Sequence, residues 1–486
     1  MPAAKDFYVA IELGSSKITG IAGQKKMDGS ITVLAIATEE AASCIRKGVV
    51  YNIDKTNQSI RNIIQKLQNH LKTEIAVVHV GIGGQGIRGL VNVIAKDLDE
   101  ATVINNNIID TMTDTNRATR YANSTILEAE PQEYKVDSQF QVDPVGIECN
   151  RIEGHFLNIV WREAFYRNLN KCFEQPGMPQ FYPCLAPKAL ADNVLTETER
   201  RTGCVLVDLG AGTTTVSVYY KNILRHMVVI PIGGYNVTKD IASFHIDEVE
   251  AEKMKLQYGS AFTSNSEFDP DMKLSIDPQR TIPQREFISM VEARVEEIIK
   301  NALAQIPSEY IDKLVGGIII TGGGSNMKNM ELAFRKYSTI DKVRIAKSIN
   351  SSVNAAKGVT IEHDGTLCTV LSLLAESDQK SDGRPLSEVN NMFSEEAPIV
   401  GGGYRSPEDL KSGQVLTLAE RQKLEAEAAR KREEEERKRL EEEERLRKEE
   451  EERKRLEEEE RKRNSLGARI KRGILNFGKK MIEEEE

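Results

Sequence analysis

The sequence has little of what marks chemistry by itself. Its 486 residues include one tryptophan, six histidines and six cysteines. Cys44, Cys149, Cys172, Cys184, Cys204 and Cys368 are scattered, and no CxxC pair occurs. The histidines form no ligand cluster. This excludes a disulfide scaffold and a zinc site, and it implies reduced, mostly buried thiols in a cytosolic protein. No apolar run is long enough to span a bilayer. The start, MPAAKDFYVAIELG, enters the first strand almost at once, so no signal peptide is expected. Positive charge is not in excess. A net charge of -9 and a pI of about 5.6 argue against a general nucleic-acid binder. The length still suffices for several domains and a large core.

One stretch organises the rest: residues 204–219, CVLVDLGAGTTTVSVY. An apolar run ends in Asp208. A turn with Gly210, Ala211 and Gly212 follows, then Thr213, Thr214 and Thr215, then a second apolar alternation. That pattern predicts a strand, a tight turn and a returning strand. Glycines there let backbone come close to a phosphate, and turn N–H groups and hydroxyls can donate to its oxygens. Asp208 at the strand mouth can hold magnesium through water. Taken alone, the stretch reads equally as an ordinary hairpin with exposed threonines. Residues 8–21, YVAIELGSSKITGI, repeat the plan with Glu12, Gly14, Ser15, Ser16 and Lys17. Two such hairpins about 195 residues apart suggest a duplicated half-domain. Residues 316–327, GGIIITGGGSNM, run a buried strand into Gly322, Gly323 and Gly324, followed by Asn326. Bare backbone there can receive a flat ring.

This set resembles the actin, Hsp70 and sugar-kinase superfamily: two phosphate hairpins and an adenosine motif. In detail it is similar to the FtsA family of bacterial cell-division proteins. The features are Pro131-Gln132-Glu133-Tyr134, Asp143-Pro144-Val145-Gly146 and Thr238-Lys239-Asp240-Ile241-Ala242, with Ala251-Glu252 and Lys255 before Tyr258-Gly259. The resemblance implies an α/β, actin-like (ribonuclease H-like, duplicated) ATPase fold with an inserted 1C subdomain and a charged helical tail. ATP and magnesium are its implied cofactors. The implied nucleotide set is Gly14, Ser15, Ser16, Lys17, Gly210, Ala211, Gly212, Thr213, Thr214, Gly234, Glu252, Lys255, Gly322, Gly323, Gly324 and Asn326. Glu252 and Lys255 share a helix face. In the superfamily such a pair reaches ribose and purine; from charge alone it reads as a surface ion pair.

The expected domains are 1–84 with 164–201 as the first half, 85–163 as the insert, 202–235 with 316–376 as the second half, and 236–315 as a lid. Within the first half, 57–71 carries a helical apolar stripe, and the glycines of GIGGQG read as a domain exit. Within the insert, short strands at 90–94, 147–152 and 155–160 surround a polar helix over 108–121. The lid holds a polar loop and a helix over 284–306, with Phe287, Met290, Val291, Ile298, Ile299 and Leu303 as its buried side. By the resemblance, Arg294, Glu297 and, less firmly matched, Arg280 lie where the family docks the C-terminal peptide of the tubulin-like protein FtsZ. From charges alone they read as a solvated face. The insert is implicated, again by resemblance, in self-association and in recruiting other division proteins.

After about residue 376 the composition shifts. Residues 377–419 read as a flexible linker. Over 420–463 the unit EEEERKRL recurs with a period of eight, placing acids four before bases. Each such pair adds roughly 0.2–0.5 kcal/mol to a helix, and apolar residues are too sparse for a coiled-coil seam. A lone charged helix is the expectation over a disordered tail, and thirty-odd residues at ~1.5 Å each would reach roughly 45–50 Å. Residues 464–486 change again. Leu466, Ile470, Ile474, Phe477 and Met481 fall on one helical face, with Arg469, Lys471, Arg472, Lys479 and Lys480 beside and opposite. That pattern lies in an anionic membrane interface. The four closing glutamates depart from the family's usual ending and oppose attraction to anionic lipid.

No general base stands out, so any ATP hydrolysis is expected to be slow and regulatory. The reading is a peripheral protein on the inner face of the cell membrane, at the septum, that polymerises and tethers FtsZ. The alternatives are another membrane-associated actin-like ATPase (pilus assembly or cell shape) and a sugar-kinase-type phosphotransferase. An Hsp70-type chaperone lacks the strand pattern after residue 376 that it would need.

Overall fold

The computed structural model describes residues 6–264, 272–276 and 280–385. The charged helix and the amphipathic segment expected over 420–486 lie outside the described residues, as does the linker beyond residue 385.

The first hairpin, Tyr8–Leu13 with Lys17–Lys25, pairs antiparallel from Tyr8 opposite Gly23 to Leu13 opposite Ile18. Val77–Ile82 and then Gln180–Leu185 add in parallel on one side, and Ile31–Glu40 adds antiparallel on the other. The strands are apolar on both faces because helices cover both. The helix Ile53–Leu71 starts at Asn52, whose side chain accepts from the Lys55 N–H, and buries Ile60, Ile63, Ile64, Leu67 and Leu71 against one face. Its approach is close enough that a Cβ at Gly20 would lie 2.3 Å from an Ile63 methyl.

The second half repeats the order. Val343–Ile345, Gly317–Thr321 and Cys204–Leu209 run parallel, and Thr214–Tyr220 and Ile223–Ile230 follow antiparallel. Two sheets with the same five-strand order and directions establish the duplication that the paired hairpins suggested. Period-2 alternation splits Cys204–Leu209 between two cores. Cys204 and Leu206 join the first half's core, whereas Val205, Val207 and Leu209 face the lid side. The helix Gln284–Leu303 packs there through Phe287, Ile288, Val291, Val295, Ile298, Ile299 and Ala302. Met290 and Leu303, expected in that stripe, are only partly buried.

One part of the expected second half belongs to the first. Val353–Ala355 pairs with Ile31–Glu40, and the helix Cys368–Glu376 packs on the first sheet. A Cβ at Gly23 would lie 2.7 Å from Leu374 Cδ2, and one at Gly81 would lie 2.5 Å from Leu373 Cδ1. The run CTVLSLLAE is apolar nearly all round, so its pattern tells that it is buried but not against which sheet. The chain then stays on the first half. Val9 N–H donates to Ser381 Oγ (2.8 Å), and Asp382–Pro385 pairs with Thr73–Ile75.

The insert is a sheet of Gln139–Gln141, Ser124–Val136, Glu148–Arg162 and Arg88–Val103, with the helix Asn106–Arg117 against it. Its strands are longer than sequence patterning suggests, and its helix ends at Arg117 rather than Tyr121. Ile104, Met112, Tyr134, Val136, Cys149, Ile152 and Phe156 form its own core. Beneath the helix a buried amide set closes on itself. Asn116 Nδ2 donates to Asn158 Oδ1 (2.7 Å), Asn158 Nδ2 returns to Asn116 Oδ1 (2.9 Å), and Asn92 Nδ2 donates to Asn116 Oδ1 (2.8 Å).

The strand Ser124–Val136 is pinned on two sides. Lys188, on the first-half helix Ala186–Val194, pairs with both Glu128 and Glu130. Arg225, on the second-half strand Ile223–Ile230, is 7 % exposed and donates from Nη2 to Glu133 Oε1 at 2.9 Å. The register shifts between the pairs His155/Glu133 and Phe156/Pro131, and the extra residue, Gln132, donates to the Leu224 carbonyl at 2.8 Å.

Candidate nucleotide cleft

The turns of the two hairpins meet. A Cβ built on Gly212 would lie 2.6 Å from Ser15 Oγ and 3.3 Å from Lys47 Cα. The turn after Leu209 is backed by the helix Gly234–Ala242. Gly234 N–H donates to the Gly210 carbonyl (3.0 Å) and Tyr235 N–H to the Ala211 carbonyl (2.7 Å). Within the turn, Gly210 N–H donates to the Thr213 carbonyl at 2.9 Å.

Glu12 and Asp208 stand at the ends of equivalent strands, opposite Thr19 and Thr215. Each carboxyl is largely enclosed yet borders the cleft. Burial, and then the Asp208 charge, push the Glu12 carboxyl up to about 8. Burial pushes Asp208 up to about 6. Neither has an ion-pair partner among the described residues. Two enclosed carboxylates that burial makes costly to ionise, Glu12 the more so for the nearby Asp208 charge, with hydroxyls and bare turn backbone adjoining, are a donor set that suits magnesium with its waters.

Ser15 Oγ accepts from the Gly48 N–H at 2.9 Å, which leaves its own hydrogen free. Gly14 and Ser16 complete that turn, the Ser16 carbonyl accepting from Ala41 N–H (3.0 Å), and Lys17 is exposed at the start of the returning strand. Thr213 lies in the second turn. Thr214 does not offer its hydroxyl: it is fully buried and Oγ1 donates to the Ile232 carbonyl at 2.9 Å.

On the lid helix Glu248–Tyr258, Glu252 and Lys255 pair at 2.7 Å. Lys255 is 11 % exposed and also donates to Thr238 Oγ1 (3.0 Å) and the Gly234 carbonyl (3.3 Å). Thr238 Oγ1 donates to Glu252 Oε2 at 2.5 Å. The pair is therefore tied to the helix that backs the second turn, which a solvated surface pair would not be. Gly322 has φ +82°, and a Cβ there would lie 2.3 Å from Asp208 Oδ1. Position 322 thus requires glycine both for its left-handed backbone and for space. Gly323, Gly324 and Asn326 form a short 3₁₀ turn beside it, with Gly323 and Asn326 exposed. The structure brings the hairpin turns, the two carboxyls and the Gly322 turn to one cleft, with the Glu252–Lys255 pair behind Gly234.

Sequence reasoning had Thr238 only as part of a family motif and missed that it links Glu252 to Lys255; it missed the turn Lys47-Gly48 altogether. The run IRKGVV marks a tight turn between short strands but gives no sign of where that turn packs. The residues at the expected peptide site do come together in part. Arg294 makes a two-pronged contact to Asp240 (Nε–Oδ2 2.6 Å, Nη2–Oδ1 3.0 Å) and also pairs with Glu297. Arg280 donates to the His245 carbonyl at 3.0 Å. Leu466, Arg469, Ile470, Lys471, Arg472, Ile474, Phe477, Lys479, Lys480 and Met481 lie outside the described residues. Among the described residues, no helix is long and apolar enough to cross a membrane.

A family model described as "Cell division protein FtsA" matches residues 205–365, and one described as "SHS2 domain inserted in FTSA" matches residues 84–160. A Porphyromonas gingivalis cell division protein FtsA is 31% identical over 343 residues, covering 69% of this chain and 72% of the relative. A Pseudomonas aeruginosa cell division protein FtsA is 30% identical over 405 residues, covering 80% and 94%. Among solved structures, a chain of the PilM–PilN type IV pilus biogenesis complex superposes with a TM-score of 0.52 at 12% identity, covering 76% of this chain and 97% of that one. That likeness bears on fold alone. With the duplicated sheets, the insert and the relatives together, the chain belongs to the FtsA family of cell-division proteins and has the actin-like ATPase fold.

Proposed function

We propose that this protein binds ATP with magnesium in the cleft, polymerises, and tethers FtsZ filaments to the inner face of the cytoplasmic membrane at the division septum. The observation that carries the nucleotide reading is the meeting of the two hairpin turns beside Glu12 and Asp208. Backbone of Gly14, Gly210, Ala211 and Gly212 and the hydroxyls of Ser15, Ser16 and Thr213 receive the phosphates. Glu12 and Asp208 hold the magnesium through water, and the bound ion neutralises phosphate charge. Gly322 to Gly324 receive the base. Binding that draws on both halves favours the closed cleft, so the nucleotide acts as a switch and hydrolysis, where it occurs, is slow.

The lid offers Arg294, Glu297 and Arg280 to the FtsZ C-terminal peptide. An acidic group on that peptide competes with Asp240 for the Arg294 guanidinium. The insert recruits other division proteins. Residues 464–486 supply the membrane contact, with a basic and an apolar face. One such helix binds weakly, so polymerisation adds avidity.

Co-sedimentation with anionic liposomes tests this. The full chain should sediment with the vesicles, more completely with ATP, and a chain ending at Arg463 should not. Binding that survives truncation places the membrane contact elsewhere. Absence of binding by both forms, with rapid ATP turnover on a small substrate, overturns the tether reading in favour of a phosphotransferase.

A further inference from the structure

A third turn enters the cleft between the two hairpin turns. Lys47 and Gly48 join the short strands Ile45–Arg46 and Val49–Val50, and both have left-handed backbones, with φ +51° and +69°. Glycine adopts that conformation freely and lysine less often, though Lys72 and Lys221 also adopt it here. The surroundings here are specific. Gln85 N–H donates to the Lys47 carbonyl at 2.8 Å. A Cβ on Gly48 would lie 2.7 Å from Gly84 Cα, so this turn and the GIGGQG turn are in direct backbone contact. The GIGGQG glycines thus do more than release the chain into the insert. Gly48 N–H donates to Ser15 Oγ, and Lys47 Cα lies 3.3 Å from where a Gly212 Cβ would stand.

Two nearby cations are already committed. Lys255 is spent on Glu252, and Arg46 lies over the Tyr51 ring at 3.7 Å. Lys47 is exposed and makes no ion pair with any described residue. Its position between the turns puts a long flexible cation where the far end of a polyphosphate would arrive. The Gly48 N–H fills one lone pair of the Ser15 hydroxyl and leaves the hydroxyl hydrogen available to donate elsewhere.

We propose that Lys47-Gly48 is a third phosphate turn. Lys47 supplies charge to the terminal phosphate of a bound nucleoside triphosphate, and Gly48 orients Ser15 as a donor to the same phosphate. Because a diphosphate ends short of this point, the turn distinguishes tri- from diphosphate and carries that difference into the GIGGQG backbone at the root of the insert. This rests on the nucleotide reading of the cleft.

Calorimetric titration of the full chain with ATP and with ADP, in magnesium, tests it. Loss of a charge-assisted contact predicts that Lys47→Met weakens ATP binding about tenfold or more and ADP binding less than about twofold. Lys47→Arg should keep most of the ATP affinity. Lys47→Gly removes the same charge while relaxing the left-handed turn, so it should lose ATP affinity as Lys47→Met does and melt no lower than the parent chain. Unchanged ATP affinity in Lys47→Met, or equal losses for ATP and ADP, overturns the third turn and leaves the cleft reading standing. A parent chain that binds neither nucleotide overturns both.

Discussion

At the scale of single residues, environment decides behaviour more than type. The six cysteines are all free thiols, five of them buried, as their scatter implied, and burial raises Cys172 to about 12. His79 gave no signal in the sequence, one histidine among apolar neighbours. It is 5 % exposed, stacks on Tyr182 with centroids 5.7 Å apart, and has Asp378 Oδ1 3.2 Å from Nε2. Burial lowers its pKa, and this outweighs the opposing effect of Asp378. The unfolded chain therefore takes up a proton that the native ring resists. Stability is present above the free imidazole value of about 6.5 and is lost as the pH falls from there through the lowered native value. The melting temperature should drop between about pH 7.5 and pH 5.5, and His79→Phe, which keeps the ring contact, should shrink that drop. Equal drops in both proteins would assign the pH dependence to other groups.

At the scale of elements, legibility followed how much each segment's pattern constrains its neighbours. The two hairpins could be read because an apolar alternation, an acid and turn glycines occur together. The helix Ile53–Leu71 could be read because its stripe faces one surface only. Ser124–Val136 could not: STILEAEPQEYKV is charged, carries Pro131, and is mostly half-buried, so no period emerges. The proline is accommodated where the register shifts, the place where a sheet tolerates one. The helix Cys368–Glu376 failed in the opposite way, being too uniformly apolar to name its partner. Its placement on the first sheet makes a definite claim. Leu374 is fully buried over Gly23, so Leu374→Ala should cost about 2–5 kcal/mol in chemical or thermal unfolding. A cost below about 1 kcal/mol would mean that the site collapses or is packed differently.

At the scale of the whole molecule, the duplication and the insert were legible from spacing and motif, whereas the contacts that join the parts were not. Glu128, Glu130 and Glu133 sit in one polar strand, and nothing in their spacing tells that the first two meet Lys188 and the third meets Arg225. Removing Lys188 takes the shared partner from Glu128 and Glu130, and removing Arg225 leaves Glu133 only the longer contact to exposed Lys221 (4.0 Å), which is destabilising where a pair is desolvated. Lys188→Met and Arg225→Met should each raise amide hydrogen exchange over 124–136. The double variant should depart from additivity by about 0.5 kcal/mol or more, because the two pins share one strand. Unchanged exchange in both single variants would show that the insert's own core, around Phe156 and Ile152, suffices to hold it.

The same two pins have a thermodynamic consequence. The strand Ser124–Val136 bridges the two halves, fixed to one by Lys188 and to the other by Arg225 and Gln132. A change in the angle between the halves must lengthen one of these contacts. Any partner that grips the insert and favours one angle does work on the nucleotide site, and the nucleotide does equal work on the partner. If the cleft binds ATP as proposed, the factor by which ATP tightens such a partner is the factor by which the partner tightens ATP. On this account the insert is a torque gauge for the cleft, read from outside by whatever binds it.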